Sequence, residues 1–336
     1  MDERILEVRD LRIQFDTFDG IAKVLDGITF DVAKGEVVAL VGETGCGKSL
    51  TAKAIMGILP PEAKIVTGEI IYKGIDLLKL KEKDRASLRG KEMGMIPQNP
   101  MVSLNPVLTV RTQLTDLINF KDSQDVSLLS YYLGRSRVAE QKNTASEATK
   151  ILSDVALDNA DRVLESYPFQ ISGGMAQRVC IAMALLGNPS LVIADEPGTS
   201  LDVTIQKVIL DLLEKKIRER GLTVIYITHN LAVARRSAAR IMVMYTGCIV
   251  EIWNSSKIFS EPFHPYTVGL KKAIPTLLGT KMIGIPGKVA SFVNAPSGCR
   301  FHPRCERVME ICRKEKPPLL AIGEGHSVAC HLWTQR

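Results

Sequence analysis

Eight residues, Gly42-Glu43-Thr44-Gly45-Cys46-Gly47-Lys48-Ser49, constrain this chain more than any other stretch. They follow the β-branched run Val37-Val38-Ala39-Leu40-Val41 and precede good helix formers from Lys48 to Leu59, which stop at Pro60-Pro61. The sequence therefore predicts a strand, a glycine-rich turn and a helix in direct succession. In that context the pattern G-x-x-x-x-G-K-[ST] is a phosphate-binding loop. Its glycines let backbone N–H groups close around phosphate oxygens, and the helix N-terminus turns its positive end toward them. Lys48 adds a point charge for the outer phosphates of a nucleotide, and Ser49 a hydroxyl for Mg2+. These eight residues, with Leu50 after them, are the candidate nucleotide contacts.

A second element fits the first. Leu191-Val192-Ile193-Ala194 reads as a buried strand and ends in two carboxylates, Asp195 and Glu196. Asp195 at the strand end suits Mg2+, whereas Glu196, one residue on, points differently and suits the polarisation of an attacking water as general base. A helix over 203–220 and strands over 222–227 and 241–244 follow in alternation, the pattern of a parallel α/β sheet. Runs at 5–15, 27–32 and 36–41 read as strands of the first third. Over 114–144 the chain turns polar and irregular, as a variable helical insertion centred on 119–143 would, and no role is assigned to it.

With 336 residues, 46% hydrophobic and 24% charged, the chain has the composition of a globular protein, which excludes disordered and collagen-like classes. About two domains are expected at this length. Pro262, Pro265, Pro275, Pro286 and Pro296 punctuate the last part, so a boundary near 261–275 separates residues 1–261 from a small loop-rich extension, 262–336. A net charge of +6 without a concentrated basic face gives no argument for nucleic acid. No apolar run approaches the ~18–20 residues that cross a bilayer, and the acidic start Met1-Asp2-Glu3-Arg4 lacks the apolar region of a secretory signal. A cytosolic chain that reaches membranes only by docking is expected. Seven cysteines, an odd number in that compartment, argue against a disulfide framework. Cys46, Cys180 and Cys248 read as buried free thiols, while Cys299, Cys305, Cys312 and Cys330 crowd the last 38 residues.

Between the two phosphate-site motifs stands Ile171-Ser172-Gly173-Gly174-Met175-Ala176-Gln177-Arg178. Ser172 suits the cap of a following helix, and the glycine pair lets N–H groups approach a phosphate closely. With these motifs in this order, the chain resembles the ATP-binding subunits of ABC transporters over about residues 6–259. The resemblance implies an α/β ATPase domain of the P-loop type, with a RecA-like core, an antiparallel β subdomain and a helical subdomain at about 98–187. It also implies a head-to-tail pair of subunits with two ATP molecules between them. In that pair Ser172, Gly173, Gly174, Met175, Gln177 and Asp202 face the nucleotide of the opposite subunit. Gln98, in Met95-Ile96-Pro97-Gln98-Asn99-Pro100, resembles the glutamine that contacts Mg2+ and the attacking water, and Ser200-Leu201-Asp202 the loop linking the two sites. His229, in Ile227-Thr228-His229-Asn230, resembles the switch histidine at the γ-phosphate. An early aromatic residue stacks on adenine in the family, and Phe18 and Phe15 are both candidates. Thr44, Ile171 and Gly198 depart from the commonest pattern without removing a catalytic group. Competent halves of both composite sites are therefore implied.

The tail spacing C-x5-C-x6-C-x17-C, from Cys299 through Cys305 and Cys312 to Cys330, suits one metal centre, zinc or a [4Fe–4S] cluster. The close pairs of zinc sites are absent, and the wide, unequal spacing suits a cubane better. With Phe263 and His264-Pro265-Tyr266-Thr267 before it, the tail resembles the C-terminal extension of the dipeptide, oligopeptide and nickel importer branch. Some members of that branch carry an iron–sulfur cluster on four tail cysteines, and these four are the matching positions. His302, His326 and His331 are nearby alternative ligands, expected to be bystanders. In a tail with little apolar content such a centre is expected to act as a folding staple.

The resemblance implies an ATP-hydrolysing subunit, peripheral on the cytoplasmic face of the cell membrane, that powers solute import. Di- and oligopeptides are the first expectation, nickel or sugars the alternatives. Its implied partners are a second ATPase subunit, sister or identical, two polytopic permease subunits and, indirectly, an extracytoplasmic solute-binding protein. No nucleic acid is expected. Relatives acting on DNA or ribosomes usually carry coiled-coil insertions or two cassettes, whereas this chain has one cassette and no heptad insertion. A scaffold that only binds nucleotide would not need Lys48, Asp195, Glu196 and His229 together.

Overall fold

The computed structural model describes residues 3–122, 142–199, 201–274 and 284–333. The chain divides into two units, one built from residues 1–78 with 225–336 and the other from 79–224.

The first unit opens as a hairpin of β1 (Arg4–Thr17) and β2 (Gly20–Ala33), which pair antiparallel as far as Thr17 and Gly20. That pairing starts β2 earlier than residue 27, where its apolar run begins. Leu6 and Val8 are fully buried, and a shift of register before Leu11 keeps Leu11 and Ile13 buried as well. Next, β3 (Val37–Val41) is almost entirely buried, as its unbroken apolar run requires, and leads to α1 (Lys48–Met56). This helix stops short of Leu59 because Gly57 turns left-handed (φ 66°) and donates its N–H back to Ala54 and Lys53. β4 (Ala63–Tyr72) and β5 (Ile75–Asp76) complete an antiparallel sheet in the order β2-β1-β4-β5. Most of the first half of β4 is exposed, so no apolar alternation announces it in the sequence.

The second unit begins with α2 (Glu82–Leu88), β6 (Met93–Ile96), α3 (Pro100–Ser103) and α4 (Val110–Asp122). It continues with α5 (Lys142–Asp154), α6 (Ala160–Glu165), α7 (Gly173–Leu185), β7 (Leu191–Asp195) and α8 (Val203–Arg220). β6 and β7 pair in parallel from Met93 and Leu191 to Ile96 and Ala194. Helices α4 to α7 pack on one another around Leu114, Ile118, Ala148 and Leu152. The expected insertion begins and ends in helix, and residues 123–141 lie outside the described set. The limits of α8 match expectation because Asp202 caps its start and Gly221 (φ 61°) ends it.

β8 (Thr223–Thr228), buried along its whole length, carries the chain back to the first unit. There follow α9 (Leu231–Ser237), β9 (Arg240–Tyr245), β10 (Cys248–Asn254), α10 (Ser255–Ser260), α11 (Pro265–Lys272), α12 (Glu310–Lys314), β11 (Leu320–Gly323) and β12 (His326–Val328). β3 pairs with β9 in parallel, and β9, β10, β12 and β11 then pair successively antiparallel. The tail, loop-rich in the sequence, thus adds two strands to the sheet that holds β3. Pro275, the far end of the expected boundary, lies outside the described residues. The fold is α/β with an antiparallel β subdomain, and among the described residues no helix is long and apolar enough to cross a membrane.

Candidate active site

In the first unit β3 runs into the loop 42–49, whose shape follows from its surroundings. A Cβ on Gly42 would lie 2.1 Å from the carbonyl oxygen of Met244 on β9, so only glycine fits. Gly47, left-handed at φ 109°, turns the chain into α1. Lys48 is buried, and its ammonium donates to the carbonyls of Gly42 (2.9 Å) and Glu43 (3.1 Å), which draws the charge into the loop. Cys46 is buried beside it, and burial pushes its thiol up against the opposing pull of Lys48. It packs as a neutral thiol. Thr44 and Gly45 are exposed, while Ser49 and Leu50 lie half-buried on the first turn of α1.

The residue after Gly42 is gripped from the C-terminal region. The Glu43 N–H donates to the Tyr266 hydroxyl at 3.0 Å, and the Glu43 carboxylate accepts two hydrogen bonds from Arg304, at 2.7 and 3.0 Å. Arg304 is buried and donates also to the carbonyls of Pro286 (2.9 Å) and Ile285 (3.1 Å). The Glu43 carboxylate, chiefly by hydrogen bonding, raises the guanidinium above its ordinary value. Tyr266 stands on α11, whose first turn is capped by His264, Nδ1 accepting from the Tyr266 N–H at 3.0 Å. Burial pushes His264 down to about 3, so the ring is neutral, as an accepting nitrogen requires. The N–H groups of His264 and Phe263 donate to the buried Glu251 carboxylate on β10, at 3.0 and 2.9 Å. Sequence reasoning identifies Tyr266 only within the tail motif and does not single out Arg304. A contact across 261 positions leaves no local pattern.

His229 follows β8 and is exposed, and Asn230 caps α9 behind it. Phe18 stands fully exposed in the turn between β1 and β2. Phe15 lies half-buried within β1, opposite Ala22 and Ala63.

In the second unit β7 ends at the buried Asp195. Glu196, also buried, takes φ 45°, a left-handed conformation that costs a non-glycine residue about 1–3 kcal/mol. Its Oε2 accepts from Gln98 Nε2 at 3.3 Å. Gln98 follows β6, the parallel neighbour of β7, so two strand ends present a carboxamide and a carboxylate together. The Asp195 carboxylate, the Gln98 amide oxygen and, in the first unit, the Ser49 hydroxyl are hard oxygen donors of the kind that suits Mg2+.

Ser172 caps α7, its Oγ accepting from the Met175 N–H at 3.3 Å. A Cβ on Gly174 would come within 2.8 Å of Ile205 on α8, so the helix start packs too closely for a side chain. Gly173 and Met175 are half-buried, and Asp202 is exposed and caps α8 through the Ile205 N–H at 3.0 Å. Ser200 lies outside the described residues. Gln177 sits apart from the other residues of this motif. It is fully buried, on the same stripe as Gly174 and Ile181, and its Nε2 donates to the Pro97 carbonyl at 3.4 Å. The side chain supports the loop that carries Gln98.

All seven cysteines are free thiols. In the tail the Cys299 N–H donates to the Cys312 carbonyl at 2.9 Å, and Cys312 and Cys330 are buried. Burial, reinforced by the other tail thiols, pushes Cys299 up to about 12 and Cys330 up to about 11 and raises Cys305. As a donor set, four unbridged thiols suit a thiophilic centre. Among the described residues, however, no group of three or more His, Cys, Asp or Glu is placed to hold a metal ion. His326 stacks on Trp253 at 3.7 Å and pairs with Glu251, while His331 Nε2 lies 2.9 Å from the Glu315 carbonyl and His302 Nδ1 3.0 Å from that of Cys299.

The family profile for ABC transporters matches residues 25–199, and that for the oligopeptide/dipeptide transporter C-terminal region matches residues 250–312. The dipeptide transport ATP-binding protein DppD of Bacillus subtilis (strain 168) is 40% identical over 337 residues, covering 99% of this chain and 96% of the relative. DppD of Caldanaerobacter subterraneus subsp. tengcongensis is 42% identical over 334 residues, covering 98% of both chains. Among solved structures, the dimeric structure of MJ0796, a bacterial ABC transporter cassette, matches with a TM-score of 0.63 at 26% identity, covering 74% of this chain and 98% of that one.

Proposed function

The chain belongs to the ABC transporter family, as an ATP-hydrolysing member of its dipeptide and oligopeptide branch, and from that premise we propose that it powers the import of di- and oligopeptides. In this reading the loop 42–49 and Leu50 cradle the phosphates of ATP, Lys48 exchanges its two carbonyl partners for phosphate oxygens, and Phe18, in preference to Phe15, stacks on adenine. Ser49, Gln98 and Asp195 hold Mg2+, which when bound neutralises charge on the phosphoryl oxygens. Glu196 takes the proton of the attacking water, Gln98 orients that water, and His229 contacts the γ-phosphate. The pair of buried Glu196 and exposed Gln98 carries the hydrolytic half of this reading, because a carboxylate held in a strained backbone beside an orienting amide is a built arrangement.

Residues 1–261 form the ATPase domain, with a helical subdomain at about 98–187, and 262–336 the branch-specific extension. Ser172, Gly173, Gly174, Met175 and Asp202 face the nucleotide of a second ATPase subunit, sister or identical. The pair works on the cytoplasmic face of the membrane with two permease subunits, supplied by an extracytoplasmic solute-binding protein. Cys299, Cys305, Cys312 and Cys330 hold a [4Fe–4S] cluster, with zinc as the alternative, and bound there it would staple the tail. The spacing and the free thiols support that assignment.

The test is uptake of labelled dipeptide by vesicles that hold this chain with its permeases and partner ATPase. ATP-dependent uptake, lost in Lys48→Ala, is expected. Transport of nickel or a sugar in place of peptide would overturn the substrate class.

A further inference from the structure

We propose that Arg304 and Tyr266 are positioning residues for ATP binding: from the C-terminal region they hold Glu43, and with it the mouth of the phosphate loop, in its receptive shape. The inference rests on the reading of residues 42–49 as the ATP loop. Glu43 is held from three directions. Its N–H goes to the Tyr266 hydroxyl, its carbonyl to Lys48 Nζ and its carboxylate to both ends of the Arg304 fork. The motif itself asks nothing of the side chain at this position.

The anchors are rigid. Arg304 is fixed by the Pro286 and Ile285 carbonyls and lies over the Tyr245 ring, 5.7 Å from its centre. Tyr266 packs against Tyr245 and Phe301, with ring centres 4.7 and 5.4 Å away. Tyr245 follows Met244, whose carbonyl oxygen closes on Gly42. One aromatic cluster therefore supports both the floor of the loop and the groups that grip its rim.

Charge gives the grip a second effect. Without Arg304 the Glu43 carboxylate would stand uncompensated at the mouth of a loop built for polyanions, and like charges at short range repel. With Arg304 in place the carboxylate is neutralised and the backbone is aimed. Two consequences follow: Arg304→Ala weakens nucleotide binding, and removing the Glu43 charge relieves much of that loss. A merely structural arginine would give the first without the second.

The experiment titrates the full chain with a fluorescent ATP analogue in the presence of Mg2+, recording the melting temperature of every variant. Arg304→Ala is expected to weaken binding about tenfold, and Arg304→Ala with Glu43→Gln to recover most of it. Tyr266→Phe is expected to cost about threefold. Arg304→Ala binding as tightly as the wild type, or a double variant no better than the single one, would overturn the proposal, as would a lowered melting temperature with affinity unchanged. Lys48→Ala serves as the reference. If that variant still binds the analogue, the reading of the loop has failed, which is a separate outcome from a silent Arg304.

Discussion

Gln98 donates to Glu196 across 3.3 Å at the ends of two parallel strands, and Gln177 donates in turn to the Pro97 carbonyl beside Gln98. Glu196→Gln keeps the shape of this group and removes its basicity. Phosphate release by the assembled transporter is expected to fall roughly a hundredfold to ten-thousandfold, with nucleotide affinity unchanged. Undiminished release would remove Glu196 from the role of general base.

Phe18 is fully exposed at its turn, whereas Phe15 lies within β1. Phe18→Ala is expected to weaken ATP binding by about 1–3 kcal/mol, the range for a base stacked on an aromatic ring, and to leave the melting temperature alone. Phe15→Ala should do the reverse. The same titration on both variants decides between them, and a Phe18→Ala chain with wild-type affinity excludes it as the stacking residue.

Burial holds His264 at about 3 in the native chain, against an ordinary value of 6.5. Between those values the unfolded chain binds a proton that the native chain refuses, so this contribution is complete above about 6.5 and is lost as pH falls toward 3. From pH 7 to pH 5 the loss is expected to be about 2 kcal/mol. His264→Asn keeps an acceptor for the first turn of α11 and should remove that part of the pH dependence, as read from denaturant unfolding at the two pH values. Parallel curves for variant and wild type would show that folding leaves the protonation of His264 unchanged, and would overturn its burial as a neutral ring.

Anaerobically purified chain is expected to contain about four iron and four acid-labile sulfide, and Cys305→Ser to lose both. Removal of the centre should lower the melting temperature of the full chain if it staples the tail. Zinc without sulfide would replace the cluster with a single ion, and no metal at all would leave four packing thiols.

The backbone was legible where its signals are local. Residues 42–49 and 171–178 and the ending Asp195-Glu196 are short stretches in which glycine dihedrals, a cap or an apolar strand with two acids specify the backbone within a few residues. The limits of α8 were legible for the same reason, since Asp202 and Gly221 mark them in the sequence. β4 was not, because strand pairing on a largely exposed segment leaves no alternation to read. Nor were the strands of the tail, which exist because β12 finds β10 across the sheet.

What the sequence by itself determined is therefore the type of loop and the family, because these depend on neighbours along the chain. Only the tertiary structure decided that Gln177 faces inward and that Arg304 closes on Glu43. Burial and ion pairing depend on which surfaces meet when the chain folds. The energy of an ion pair depends on distance and surroundings in space, and neither is written in the 261 positions that separate those two residues.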